Sequence, residues 1–274
     1  NLNILILGGN RFVGKALAKH SMKWHKVDVF NRSGTGPDGV GIIKGDRNNT
    51  EDLNKVEWDK YDTIVDMCLF FPQQWKLVSP LIPRDTNYIF VSSGAADSRY
   101  RSAYGAYGED KKAVEVMLEE EQAVLRNYKI VRPSYIVGKG NHRPRIGYYM
   151  NKLIHMEHIE IAGNGKNIVN IVFVEDVVKQ LFRLVNTQEK TYEKLEVVGD
   201  NIEMIDLVHK VFKYVLDDAY QGSVMLVQDD ENAILPKNDF EFETDLDYIK
   251  LDEGLKDYAE WYYNEGAKKY GYVI

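Results

Sequence analysis

The sequence of 274 residues holds a single cysteine, Cys68, so no internal disulfide can form and a reducing compartment is the simpler setting. Long apolar runs are also missing. The opening run "LNILI" is too short for a signal-peptide core or a membrane span, and nothing later reaches that length. A cytoplasmic protein with no membrane partner is expected. Positive charge is not in excess: 35 Lys and Arg stand against 42 Asp and Glu, a formal net charge of −7. That balance gives no general attraction to nucleic acid or anionic lipid. Internal repeats and low-complexity linkers are absent as well.

What remains is a chain that is 44% hydrophobic and 28% charged, enough for one large or two moderate domains with ample core. Its first half alternates short β-like runs with helical ones. Strands are expected at 2–7, 26–30, 41–43, 63–67, 88–91 and 128–131. Helical stretches are expected at 15–24, 50–55, 72–78 and 109–125. Strands spaced by helices predict an α/β fold of the Rossmann type, a doubly wound parallel sheet that binds ligand at the carboxyl ends of its strands. After about residue 135 the rhythm changes, and the final third is richer in acidic and aromatic residues. The expected division is a dinucleotide-binding domain over 1–140 and a smaller, mainly substrate-binding lobe over 141–274. Residues 168–186 return to the first domain.

"LGGNRFVG" joins the first strand to the first helix. Backbone N–H groups at such a helix start, together with the helix dipole, favour a pyrophosphate. Gly8 and Gly14 fit the first and third glycines of a nucleotide-binding turn, and Arg11 stands at the second. The structural alternative is a tight turn that binds nothing. At the end of the next strand a site for NAD usually places an acid against the ribose hydroxyls. Here "FNRSG" offers Asn31, Arg32 and Ser33 instead. Two arginines and no acid favour NADP(H), with NAD(H) the alternative; Asp28 lies inside the strand. Past the third strand, "GDRN" supplies Asp46, which could receive the adenine amino group, and Arg47.

"YIFVSSGAADSRYRSAYGAYGEDKKAVE" carries the chemistry. Tyr107 and Lys111 are four apart and share a helix face. A lysine held charged there would lower the phenol from about 10 towards working pH, making Tyr107 an acid/base for a hydroxyl/carbonyl pair. Tyr100 and Tyr104 have no lysine four residues on. Ser92 and Ser93 follow a strand, and either hydroxyl could hold the substrate oxygen. The spacing alone also fits a solvated helix start; the order of glycine turn, serine pair, then Tyr and Lys is what singles it out.

These stretches, with "DTIVDMC", "YGEDKKAVE", "VRPSYIVG" and "FVEDVV", resemble the short-chain dehydrogenase/reductase superfamily, on the extended or atypical side that includes NAD(P)-dependent epimerases and dehydratases. The closing "LDEGLKDYAEWYY" is similar to that family's terminal helix. The resemblance implies a catalytic triad of Ser93 as polariser, Tyr107 as acid/base, and Lys111 as tuner of the tyrosine and ribose contact. The cofactor contacts it implies, together with those read above, are Gly8, Asn10, Arg11, Phe12, Val13, Gly14, Asn31, Arg32, Ser33, Asp46, Arg47, Met67, Cys68, Ser92 and Pro133. Arg132 and Pro133 would open the strand beside the nicotinamide. A homodimer through the 109–125 helix is implied by the resemblance only.

Two departures bear on the reaction. Dehydratases of the family use Thr-Asp-Glu where this chain has Ser93-Gly94-Ala95, which disfavours simple dehydration. Nucleotide-sugar epimerases place an arginine before "V-x-D"; here stand Val169 or Asn170, with Lys166 the nearby cation. Arg143 and Arg145 could supply an anion site instead. The expectation is an NAD(P)(H)-dependent oxidoreductase or epimerase acting on a secondary alcohol or ketone of a sugar-like or nucleotide-sugar substrate. The rival, a non-catalytic NADP-sensing or RNA-binding atypical member, is opposed by the acidic charge and by the Tyr/Lys pair.

His142, His155 and His158 have no carboxylate or cysteine framework around them, so no metal is expected. Tyr148, Tyr149, Trp261, Tyr262 and Tyr263 read as packing residues, the first two alternatively as pocket lining.

Overall fold

The computed structural model describes residues 1–121, 127–141, 143–216, 224–228 and 238–271; His142 and the end of the expected 109–125 helix lie outside them. In chain order the elements are β1 (Asn3–Leu7), α1 (Phe12–Ser21), β2 (Lys26–Asn31), β3 (Gly41–Lys44), α2 (Thr50–Leu53), β4 (Thr63–Asp66), α3 (Pro72–Val78), β5 (Asn87–Val91), α4 (Gly105–Glu120) and β6 (Tyr128–Pro133). There follow β7 (Tyr135–Val137), α5 (Arg145–Ile154), β8 (Ile159–Ala162), β9 (Ile168–Phe173), α6 (Val174–Asn186), β10 (Tyr192–Val197), β11 (Asp200–Glu203), α7 (Met204–Leu216), β12 (Val224–Val227), α8 (Leu251–Trp261) and α9 (Ala267–Lys269).

The chain divides into two compact units. One comprises Asn1–Pro133 and Val177–Val197, the other Ser134–Asp176 and Val198–Ile274. The first is built on a seven-stranded sheet in the order β10-β6-β5-β4-β1-β2-β3, every neighbouring pair parallel. This is the Rossmann-type arrangement. Parallel strands are covered on both faces, so their sequences run apolar without alternation. Accordingly Ile4 to Leu7 and Tyr88 to Phe90 are wholly buried. Leu5, Leu7, Phe30, Ile64, Trp75, Tyr88, Val114 and Ile130 share one core.

Strand order reverses between β1 and β4. The crevice that such a reversal leaves lies beyond their carboxyl ends, where the glycine turn and Met67–Cys68 follow. Gly8 N–H bonds Phe30 O at 2.8 Å and Met67 N–H bonds Leu7 O at 3.0 Å, tying both exits to the sheet.

The last strand of the sheet comes from far along the chain. Its approach is fixed by polar bonds at the amino edge: Thr63 Oγ1 to Val185 O at 3.3 Å, Asn87 Nδ2 to Leu184 O at 2.9 Å, and Lys129 Nζ to Thr187 O at 3.2 Å. Lys129 also donates to Asn87 Oδ1 and Asn127 Oδ1.

The second unit has an antiparallel β11–β9 pair extended by parallel β7, and a separate β8–β12 pair. Its core gathers Tyr149, Met150, Phe173, Leu207, Val211, Leu255, Tyr258 and Tyr262, with Tyr148 and Trp261 packed partly against it. Tyr263 is 37% exposed. Among the described residues no helix is long and apolar enough to cross a membrane, and no group of His, Cys, Asp or Glu is placed to hold a metal.

Candidate active site

The substituted glycine turn closes tightly. Gly8 takes φ +98°, which L side chains rarely adopt. A Cβ on Gly9 would sit 2.7 Å from Val29, and one on Gly14 3.0 Å from the Gly9 Cα, so the helix start presses on the turn itself. Arg11, at the second position, is extended (φ −130°, ψ 143°), so no glycine is required there. The left-handed conformation falls instead on Phe12, at φ 39°. The Arg11 side chain is exposed.

The loop after β2 is organised by Asn31. Its Oδ1 accepts from Ser33 Oγ at 3.0 Å and Gly34 N at 2.8 Å, and its Nδ2 donates to Thr35 O at 2.7 Å. Asn10 reaches across from the glycine turn to Ser33 Oγ at 3.1 Å and Thr35 Oγ1 at 2.7 Å. Asn10, Asn31 and Ser33 are thus brought together, with Thr35 a member that sequence reasoning missed. Arg32 and Arg11 stay exposed, and neither guanidinium makes an ion pair among the described residues. Asp28 is occupied within the sheet, accepting from Tyr61 Oη at 2.7 Å.

Asp46 Oδ1 accepts from Asn48 N at 2.8 Å, while Arg47 turns inward. Its Nη1 meets Asp66 Oδ1 at 2.5 Å and Cys68 Sγ at 3.5 Å, and Asp66 Oδ2 accepts from Tyr88 Oη at 2.6 Å. Burial opposes the Arg47 charge, but Asp66, with Cys68 and Tyr88, outweighs it and holds the guanidinium above its ordinary value. Burial pushes the Cys68 thiol and the Tyr88 phenol up, with Asp66 adding to both. Arg47 Nε and Nη2 are buried without a hydrogen-bond partner. Cys68 lies against Gly8, a Gly8 Cβ being 3.3 Å from its Sγ. A glycine cradle with no room for side chains, beside buried unsatisfied donors, fits a dinucleotide whose acceptors would complete the set. Met67 is half-buried, and Pro133 is buried at the end of β6.

Tyr107 and Lys111 both fall within α4, which begins four residues earlier than expected from the sequence. Tyr107 is 47% exposed and Lys111 2%. Lys111 Nζ donates to Leu69 O at 2.8 Å and Val91 O at 3.1 Å. It also stands 4.8 Å from the Phe70 ring centre and 5.9 Å from that of Tyr107. Burial brings its pKa down to about 8, against the opposing pull of Asp66. Ser93 Oγ accepts from Ala95 N at 3.1 Å, which leaves its own proton free to be donated. Ser92 Oγ donates to Glu115 at 2.6 Å, so its proton is spent inside the fold. Phe70 and Phe71, at 41% and 49% exposure, were not anticipated from the sequence. Phe70 stands beside the lysine and Phe71 against Phe70, a signal only a structure supplies.

No curated protein matches the chain by sequence. The model of the NAD dependent epimerase/dehydratase family matches residues 85–198. Among solved structures, a UDP-glucose 4-epimerase from Thermotoga maritima with UDP-glucose has a TM-score of 0.74 at 15% identity, over 96% of this chain and 99% of that one. A UDP-glucuronic acid 4-epimerase from Bacillus cereus, complexed with UDP-glucuronic acid and NAD, gives 0.75 at 15%, again over 96% and 99%. A dTDP-glucose 4,6-dehydratase from Bacillus anthracis with NAD gives 0.73 at 16%, over 97% of each chain. At such identity these likenesses establish the fold. The family resemblance carried by the motifs is thus borne out: the family's sequence pattern occupies residues 85–198, and the fold around it is one that these epimerases and dehydratases share.

Proposed function

We propose that the chain is an NADP(H)-binding oxidoreductase or epimerase that interconverts a secondary alcohol and a ketone on a sugar-like or nucleotide-sugar substrate. The observation that carries this reading is the placement of Tyr107 beside the buried Lys111 on α4, with the Ser93 hydroxyl at the end of β5. When bound, the nicotinamide supplies or accepts a hydride at the substrate carbon. Ser93 Oγ–H donates to the substrate oxygen and orients it. Tyr107 Oη gives that oxygen a proton as the carbonyl is reduced, or takes it as the alcohol is oxidised. Lys111, charged below about pH 8, favours the phenolate, and the site loses that help as pH rises above it. The same three residues would serve an epimerase or a reductase or dehydrogenase, since each needs the substrate oxygen held and its proton moved at Tyr107.

Gly8, Asn10, Arg11, Phe12, Val13 and Gly14 would hold the pyrophosphate. Asp46, Arg47, Met67 and Cys68 would border the adenosine half, and Ser92 and Pro133 would shape the nicotinamide end without direct chemistry from Ser92. The preference for NADP(H) rests on Arg11 and Arg32, exposed and free of ion pairs among the described residues, beside a loop that carries no acid at the end of β2. The solved relatives complexed with NAD keep NAD(H) as the alternative.

Titration with NADPH, NADH, NADP⁺ and NAD⁺ by nicotinamide fluorescence and thermal shift tests the reading. Arg32→Ala should weaken NADPH about tenfold more than NADH, the worth of one charge-assisted phosphate contact. Equal loss for both removes the 2′-phosphate assignment, and no binding by any of the four removes the cofactor reading.

A further inference from the structure

The Tyr107–Lys111 face of α4 continues one turn further to Glu115, and that carboxylate is wholly buried. A buried carboxylate is costly unless several donors meet it. Here Ser92 Oγ donates at 2.6 Å, Arg132 Nε at 2.9 Å and Arg132 Nη2 at 2.6 Å, while Lys194 Nζ stands 3.5 Å away. Burial works against the charge, but these bonds outweigh it and hold the Glu115 carboxyl below its ordinary value. The donors come from the ends of β5 and β6 and from β10, so one side chain ties α4 to three strands.

The attachments fall in sequence along the chain. Lys111 binds Val91 O, Glu115 binds the next residue, Ser92, and Ser93 follows with its free proton. Gly108 supplies a third seat. A Cβ there would lie 2.6 Å from Ala95 O, so the helix start rests directly on the turn that begins at Ser93. A slide or roll of α4 would therefore carry Tyr107 away from Ser93. A misplacement of about 1 Å between reacting groups can cost about a hundredfold in rate.

We propose that Glu115 is a positioning residue: by gripping Ser92 and Arg132 it sets where Tyr107 and Lys111 stand against Ser93. The inference rests on the triad reading above. It also accounts for the division of labour between the adjacent serines, one hydroxyl holding the helix and the other facing the substrate.

The test compares two buried lysines by acetylation with acetic anhydride, followed through their proteolytic peptides by mass spectrometry. Lys111 is seated by α4; Lys129 lies in the same unit among Asn87, Asn127 and Thr187. Both should resist labelling in the parent protein. In Glu115→Gln, Lys111 should label about tenfold faster, as a local opening of the helix seat would allow, with Lys129 unchanged. Equal acceleration of both would make Glu115 a general stabiliser and overturn the proposal, as would no change at Lys111. Should Glu115→Gln fail to fold, Ser92→Ala removes one bond and keeps the arginine pair. About threefold faster labelling confined to Lys111 is then expected, and no selective change overturns the proposal. Failure of the triad shows elsewhere, as turnover that survives Tyr107→Phe.

Discussion

Two lysines of the same unit are buried and pulled down to about pKa 8 by that burial, yet they differ in what surrounds them. Lys129, at the amino edge of the sheet, has three acceptors for its three N–H bonds: Asn87 Oδ1, Asn127 Oδ1 and Thr187 O. Lys111, at the carboxyl edge, has two carbonyls, with Phe70 and the exposed Tyr107 near its remaining face. The first is a finished knot. The second keeps one donor in hand beside a group that can ionise. A perturbed lysine therefore marks a candidate site only when its bonding is incomplete and its neighbour reaches solvent.

The contrast can be broken by exchange of symptoms. Tyr107→Phe and Lys111→Met should each lower NADPH-dependent turnover of a keto-sugar panel by about a thousandfold, the scale of lost acid–base catalysis, with NADPH affinity from fluorescence kept within about twofold in Tyr107→Phe. Retained turnover would take either residue out of the mechanism. Lys129→Met should do the reverse, lowering stability in urea by about 2 kcal/mol through the orphaned amide oxygens while turnover at low temperature persists. A variant as stable as the parent would mean that the knot contributes nothing.

The smallest effect concerns pH. The folded chain holds the Lys129 proton less tightly than the unfolded chain does, so this group contributes more stability as pH rises from about 8 towards the ordinary lysine range, and its penalty is constant below that window. The stability difference between parent and Lys129→Met should therefore widen in the parent's favour between pH 8 and 10. A flat difference would place Lys129 at an unshifted pKa.

The sheet was legible because strands covered on both faces must be continuous apolar runs, and "NILIL", "TIVD" and "NYIFV" are such runs. Tyr107 and Lys111 were legible because a helix turns every 3.6 residues. Helix starts were read less well. α1 begins at Phe12 because the glycine turn delivers the chain directly into the helix, and α4 begins at Gly105 because Gly108 must lie against Ala95. Contacts such as Arg47 with Asp66 and Glu115 with Arg132 depend on which strands become neighbours. No local pattern records that. Glu115 did carry one faint signal, its place four residues beyond Lys111 on the same face.

The late arrival of the seventh strand has a consequence for the nascent chain. During synthesis β6 is complete some sixty residues before Val197 emerges, and over that interval its outer backbone groups lack the partners that β10 later provides. Lys129, Asn87 and Thr63 likewise wait for the carbonyls of 184–187. A chain halted after β6 has emerged and before Val197 has would hold a sheet that ends at β6 rather than β10, the state in which a chaperone is most needed and a neighbouring chain most easily recruited.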